Sequence, residues 1–139
     1  MSETAEWGNV CSRVDTCALT GAAAFFTGIK GAEVLVNGPL WCYFYALRHL
    51  EKSNSRLGER FHGSQPDNNA VVYGTEECLT DALDYIRENR APSILLIENS
   101  CSVSLIGDDI EGIAAKAKLP FSVMGMDSGG LSGGFAEGY

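Results

Sequence analysis

Ser93-Ile-Leu-Leu-Ile-Glu98 decides the fold, because its four consecutive apolar residues would be buried on both faces of a β-strand. Comparable runs occupy Ala32–Asn37, 70–73 and 121–126, and a stretch of helical periodicity follows each of the first three strands. Strand and helix therefore alternate three times at the spacing of βαβ units. The sequence predicts an α/β fold, a Rossmann-like, doubly wound parallel sheet of about four strands with helices on both faces.

The helices between the strands have recognisable starts. Pro39 suits the first position of a helix, where its missing N–H has no partner anyway. Thr75 is predicted to cap the second helix, and Asp108 or Asp109 the third, since side-chain oxygens at these positions accept from backbone N–H groups. The predicted buried faces are Leu40, Tyr43, Phe44 and Leu47 in the first helix, Leu79, Ala82, Leu83 and Ile86 in the second, and Ile110, Ile113, Ala114 and Ala117 in the third.

Three segments lie outside this alternation. Residues 16–27 are Ala-rich and predict a helical segment that lies outside the core. Residues 51–69 are polar and contain Ser, Asn, Gly and Pro, which favours a loop. Residues 128–139 are Gly-rich with no element after them, so we expect the polypeptide to be cut from something longer.

The charge of the chain restricts its partners and location. Asp and Glu total 18 against 10 Lys and Arg, which gives a net charge of −8 and disfavours binding to nucleic acid phosphates. No run of 18 apolar residues predicts a membrane span, and the acidic start is unlike a signal peptide. We expect a cytoplasmic protein whose five cysteines stay reduced.

Three cysteines occupy positions that favour the thiolate. Cys42 falls in the first turn of the helix after the first strand, Cys101 follows the third predicted strand, and Cys17 lies near the start of the N-terminal helix. Helix N-termini favour thiolate over thiol, and iron–sulfur clusters are held by thiolates. Spacing alone does not show such a site, because the three are far apart and no Cys-x-x-Cys pair exists. Burial as a small hydrophobic side chain is the alternative for each.

The other two cysteines are weaker candidates. Cys78 lies beside the apolar face of an amphipathic helix, which favours packing, and Cys11 is either an auxiliary ligand or an exposed thiol. Zinc is disfavoured, since only Cys11 and Cys17 are close in sequence and His49 and His62 are isolated. An aromatic group is typical of core or subunit contact rather than of a ligand stack; its members are Trp41, Tyr43, Phe44 and Tyr45.

The residues around these cysteines resemble a known family. Cys17-Ala-Leu-Thr-Gly21-Ala, Asn37-Gly-Pro-Leu-Trp-Cys42 and Cys101-Ser-Val-Ser-Leu-Ile-Gly-Asp-Asp-Ile110 are similar to the three cluster-cysteine segments of the nitrogenase component 1 family. Val72-Tyr-Gly-Thr-Glu-Glu77 and Gly133-Gly-Phe-Ala-Glu-Gly-Tyr139 resemble further landmarks in the expected order. The resemblance covers nearly the whole chain. The family usually has His-Gly-Pro and Gly-Cys where this chain has Asn37 and Trp41-Cys42.

The resemblance implies a cofactor and partners. Cys17, Cys42 and Cys101 would bind an electron-relay iron–sulfur cluster, either an 8Fe-7S-like double cubane or a 4Fe-4S cubane, at a subunit interface. A homo- or heterodimer would share the cluster site, and an ATP-dependent iron–sulfur reductase protein would supply electrons. Three thiolates cannot complete a four-iron cubane, so the fourth ligand would be a carboxylate, water or a partner's cysteine.

The resemblance also bears on the extent of the protein. Family subunits contain about three Rossmann-like domains, and residues 1–139 are similar to the first of them, a single truncated cluster-binding domain. The domains expected to hold a substrate site are missing, which leaves open whether this chain alone is an enzyme. Two alternatives remain: a non-catalytic scaffold for cluster or cofactor assembly, and a cluster-free Rossmann-like binding module.

Overall fold

A computed structural model describes residues 17–52, 56–64, 76–90, 92–100, 103, 105, 109–127 and 139. The elements in this part of the chain are, in order, α1 (Ala18–Thr27), β1 (Ala32–Asn37), α2 (Leu40–Leu50), a 3₁₀ turn (Leu57–Arg60), β2 (Phe61–Gly63), α3 (Glu76–Asn89), β3 (Ile94–Asn99), α4 (Ile110–Lys116) and β4 (Ser122–Asp127).

The four strands form one parallel sheet in the order β2-β1-β3-β4. Val34 of β1 pairs with Phe61 of β2 on one side and with Leu96 of β3 on the other. Every residue of β1 is buried, as are all but the first of β3, because these two strands are central and covered on both faces. The predicted parallel α/β sheet is confirmed.

A hydrophobic layer lies on each face of the sheet. One layer packs α1 and α2 against the side of β1 and β3 that carries Val34, Val36 and Leu96. The opposite layer packs α3 and α4 against Leu35 and its neighbours on β3. Helices on both faces complete the predicted architecture. The predicted inner faces of α3 and α4 are confirmed: Leu79, Leu83, Ile86, Ile110, Ile113 and Ala114 are buried, and Ala82 and Ala117 are partly buried.

Helix α1 corrects one prediction. It does not lie outside the core, because Leu19, Ala22 and Ala23 are buried in the same layer as β1 and α2. Small side chains let the helix approach the sheet closely, so an Ala-rich segment with little amphipathic signal is nevertheless an interior element.

The predicted buried face of α2 was wrong at two of its four residues. Leu40 and Phe44 are exposed, whereas Ala46 and Leu50 are buried and Tyr43 and Leu47 pack partly against the core; the exposed positions therefore define a second apolar face. Residues 40–47 are almost uniformly apolar, so periodicity alone cannot choose which face meets the sheet.

The segment predicted as a loop over 51–69 contains the 3₁₀ turn and β2. Arg60 holds this turn in place by donating to three backbone carbonyls, those of Thr27, Ile29 and Ala32, at 2.9–3.0 Å. The strand predicted at 70–73 and the caps predicted at Thr75 and Asp108 lie outside the described residues. Asp109 is the N-cap of α4, as predicted, and its Oδ1 accepts from the N–H of Gly112 at 3.1 Å.

The buried carboxylate of Glu33 on β1 contacts His62 of β2 and Arg90, the residue after α3. Oε1 of Glu33 accepts from Nε of Arg90 at 2.9 Å and lies 2.7 Å from Nε2 of His62. The hydrogen bond to Glu33 is the main cause that raises the pKa of Arg90 above its ordinary value. These two contacts offset the energetic cost of burying the Glu33 carboxylate almost completely within the sheet.

Among the helices that the structure describes, none combines the length and the apolar character needed to cross a membrane.

Candidate functional site

A polar network fixes the carboxyl edge of the sheet. The amide Nδ2 of Asn37, the last residue of β1, donates to Oδ1 of Asn99 at the end of β3, at 3.1 Å. The hydroxyl of Ser64, just after β2, donates to Oδ1 of Asn37 at 2.7 Å. Three strand ends are therefore tied together at the edge where parallel α/β sheets usually place functional groups.

Gly38 allows the chain to leave β1 at this edge. The N–H of Ser100 donates to the carbonyl of Asn37 at 3.1 Å, which brings the backbone after β3 close to the backbone after β1. A Cβ on Gly38 would overlap the side chain of Ser100, so any larger residue would force the two segments apart. Pro39 and the start of α2 follow directly after this close backbone contact.

Cys42 is the third residue of α2, and it is half-buried. Its N–H donates to the carbonyl of Pro39, the N-cap residue, at 3.1 Å. The first turn of a helix carries partial positive charge from its N–H groups and stabilises a nearby anion such as a thiolate. Trp41, the neighbour of Cys42, is 68% exposed and points into solvent rather than into the core.

Cys17 is the N-cap residue of α1, and it too is half-buried. Helix α1 packs on β1 and is joined to it by the short turn at 28–31, so the helix runs back along the strand. Its N-terminus therefore lies at the carboxyl edge of the sheet, the same edge at which α2 begins. Local sequence patterns did not predict this location, because α1 was expected to lie outside the core; only the family resemblance implied that Cys17 and Cys42 share a site.

The structure thus places Cys17 and Cys42 on one face of the sheet. Both pack against the hydrophobic cluster that contains Val36 and Ala46. Ser100, the residue before Cys101, is buried at the same edge. Cys101 itself and Cys11 lie outside the described residues.

Glu98 is a buried carboxyl that sequence analysis did not single out. It is fully buried on β3 and pairs in register with Val36 of β1, so it shares the face of the sheet to which Cys17 and Cys42 belong. A carboxyl group at the end of an otherwise apolar strand was the signal that could have identified it.

Cys78 lies apart from these thiols. It is half-buried on α3, on the opposite face of the sheet, where it lines a cleft of about 500 Å³ with His62, Asp81 and Tyr85. Cys78 is not among the residues that pack against the apolar layer under α3, so its packing role stays a prediction.

The donors near the carboxyl edge fit a cluster held by thiolates. Cys17 and Cys42 are half-buried thiols beside an apolar layer, and each lies at the start of a helix. Within the residues that the structure describes, no group of three or more His, Cys, Asp or Glu side chains is arranged to hold a metal ion. The predicted ligand set includes Cys101, which lies outside those residues, so the three-thiolate site stays a prediction.

Comparison with known proteins gives consistent matches. The family model for nitrogenase component 1 type oxidoreductases matches residues 17–139. The nitrogenase iron-molybdenum cofactor biosynthesis protein NifE of Methanosarcina barkeri is 29% identical over 127 residues, which cover 88% of this chain and 27% of that protein. The nitrogenase molybdenum-iron protein alpha chain of the same organism is 33% identical over 110 residues, which cover 73% and 20%.

A solved structure, "Nitrogenase Cp1 at pH 5", has a TM-score of 0.74 and 25% identity, and the match covers 88% of this chain and 27% of that one. The chain spans about a quarter of the length of these proteins. The matched segment contains both described thiols of the carboxyl edge and the four strands around them. The chain belongs to the nitrogenase component 1 type oxidoreductase family.

Proposed function

We propose that residues 1–139 form one iron–sulfur cluster-binding domain of a nitrogenase-like oxidoreductase and relay electrons through that cluster. The ligands are Cys17, Cys42 and Cys101, with Cys11 as an auxiliary candidate. The observation that carries the proposal is that Cys17 and Cys42, both half-buried at helix starts, pack against the same apolar layer on one face of the sheet. Membership of an oxidoreductase family supports the same chemistry.

The protein's own residues would act on the cluster in three ways. Cys17 and Cys42 would supply thiolate ligands, and the apolar layer beneath them would keep water away from the cluster. The hydrogen bonds among Asn37, Ser64 and Asn99 hold the strand ends in place. The thiols would therefore keep their positions when the cluster gains or loses an electron. A bound cluster supplies one-electron chemistry, and burial and hydrogen bonding set its potential.

The ligand set favours an assembly. One chain offers three candidate thiolates, fewer than the four that a cubane needs, so a homo- or heterodimer would complete a 4Fe-4S or an 8Fe-7S-like site. An ATP-dependent iron–sulfur reductase protein is the proposed electron donor, and the reducing cytoplasm is the proposed compartment.

A second function is an assembly scaffold that holds a cluster or cofactor and passes it on. It is favoured by the likeness to NifE, a protein named for cofactor biosynthesis, over 88% of this chain. The two functions differ in their redox partner. A relay should be reduced by an ATP-dependent reductase protein, whereas a scaffold should transfer its cluster to an acceptor protein lacking one.

The proposal is tested by purifying the chain anaerobically and measuring iron, acid-labile sulfide and the visible spectrum. We expect iron and sulfide together with a sulfur-to-iron charge-transfer band. Replacing Cys17, Cys42 or Cys101 with Ser should each remove most of the iron, while Cys78→Ser should keep it. A wild-type chain without iron after reconstitution, or one whose iron depends equally on Cys78, would contradict the proposal.

A further inference from the structure

A cleft of about 500 Å³, here called the edge cleft, opens beside β2 at the outer edge of the sheet. Three elements line it, and the lining residues used below are Tyr43 from α2, Phe61 and His62 from β2, and Asp81 and Tyr85 from α3. Small-molecule sites are usually clefts of this size with a few polar groups among apolar ones. The edge cleft can therefore hold a small ligand, and the proposed function assigns it none.

Aromatic rings on both sides of the edge cleft are held in place by contacts within the protein. Tyr43 packs against Phe61 with ring centroids 5.5 Å apart, and its hydroxyl donates to the Phe61 carbonyl at 3.4 Å. On the other side, the rings of His62 and Tyr85 meet edge to face, 6.3 Å apart. Nε2 of His62 donates to the buried carboxylate of Glu33 at 2.7 Å, which fixes the imidazole ring. Because these walls are preformed, a ligand would not have to order them on binding.

The charges at the edge cleft favour one kind of ligand. Asp81 is exposed and makes no hydrogen bond or ion pair with any residue that the structure describes. The described lining residues include this carboxylate and no Lys or Arg, and Glu33 behind them is already bonded to Arg90 and His62. An anion would therefore meet a like charge, whereas a cation would meet a carboxylate and the faces of aromatic rings. The net charge of −8 on the chain attracts cations as well.

We propose that the edge cleft binds a small organic cation, an ammonium or guanidinium group on a short apolar stem. The carboxylate of Asp81 accepts hydrogen bonds from the cation, and the rings of Tyr43 and Tyr85 contact the cation and its stem. A metal ion fits less well, since among the described residues no three His, Cys, Asp or Glu side chains are arranged to hold one. Such a ligand lies beyond the proposed function, and its binding requires no iron–sulfur cluster.

The test is a titration of the purified full chain with cadaverine, a diamine with a short apolar stem, at constant ionic strength. Nuclear magnetic resonance follows the backbone amides of residues 61–64 and 76–90. Pentanediol and glutarate are the neutral and anionic probes with a stem of the same length. We expect saturable binding of cadaverine with a dissociation constant of about 1 mM, and binding of the other two probes that is weaker by about tenfold or more.

Two variants and a matched control assign the binding to the edge cleft. Asp81→Asn should raise the dissociation constant for cadaverine by about threefold or more, because it removes the carboxylate and keeps the shape of the side chain. Tyr85→Leu should also weaken binding, since an apolar side chain without a ring cannot make a cation–π contact. Asp84→Asn is the control: it removes the same charge from the same helix, but Asp84 pairs with Arg87 at 2.9 Å and does not line the cleft.

Circular dichroism establishes that each variant folds. The absence of saturable shifts up to about 20 mM cadaverine would overturn the inference, as would equal binding of the three probes. Equal weakening by Asp84→Asn and Asp81→Asn would also overturn it, because the effect would then come from net charge rather than from the cleft. The titration uses protein without added iron, so its result is independent of whether the chain holds a cluster.

Discussion

At the scale of single residues, the carboxyl edge of the sheet depends on the close approach of the backbone after β1 to the backbone after β3. Gly38 and Ser100 lie where two loops leave adjacent strands, and the amide–carbonyl bond between Ser100 and Asn37 ties them. The buried amide pair of Asn37 and Asn99 adds a hydrogen bond whose loss would leave polar atoms unsatisfied inside the protein. The position of Cys42 thus depends on a glycine four residues earlier.

We expect Gly38→Ala to lower the free energy of unfolding by about 1–3 kcal/mol, because the new methyl group overlaps the Ser100 side chain. Urea unfolding measures the change. Gly58→Ala is the control, since open space surrounds that position and its effect should stay within about 0.5 kcal/mol. Adding Ser100→Gly to Gly38→Ala should restore part of the loss. Additive losses in the double variant would show that the two side-chain positions do not compete for space.

At the scale of elements, short helices depend on their ends. Helix α4 has seven residues, too few to be stable alone, so its cap and its packing on β3 and β4 must hold it. Asp109 supplies the cap, Glu111 adds negative charge to the first turn and Lys116 positive charge to the last, as the helix dipole favours.

We expect Asp109→Ala to cost about 1 kcal/mol of stability, because the N–H of Gly112 loses its acceptor. Asp109→Asn should recover most of this loss, since its side-chain oxygen can accept the same bond without the charge. Thermal unfolding followed by circular dichroism compares the three proteins. Equal destabilisation by Ala and Asn would assign the effect to charge near the dipole rather than to the capping bond.

At the scale of the whole molecule, the proposed cluster should couple to folding, because ligands that bind only the native state stabilise it. Cys17 and Cys42 lie on α1 and α2, which share one side of the sheet, so a common cluster would link two separate helices to the core.

Anaerobic reconstitution with iron and sulfide should raise Tm by about 5–10 °C when the cluster is saturated. Cys78→Ser should show the same rise and Cys42→Ser should show none, with an iron chelator reversing the effect. Thermal unfolding under anaerobic conditions measures each Tm. A rise that survives in Cys42→Ser would mean that iron binds elsewhere on the chain.

Much of the fold was predictable because local signals were strong. The apolar runs of β1, β3 and β4 and the amphipathic faces of α3 and α4 depend on patterns within single elements, and all were confirmed. Cys17 and Cys42 could be placed at helix starts by the same means. Their placement on one face of the sheet could not, because it depends on α1 packing against β1.

The sequence by itself determined the parallel α/β class, the family and the candidate thiols, since these reside in contiguous residues. Only the tertiary structure decided three further features. Phe61–Gly63 became a strand because β1 offers an open edge, not because its polar surroundings favour one. Helix α2 turned Leu40 and Phe44 outward because packing selects one of two apolar faces. Cys17 reached the edge where Cys42 begins its helix because α1 runs back along β1, a contact between segments that no local pattern encodes.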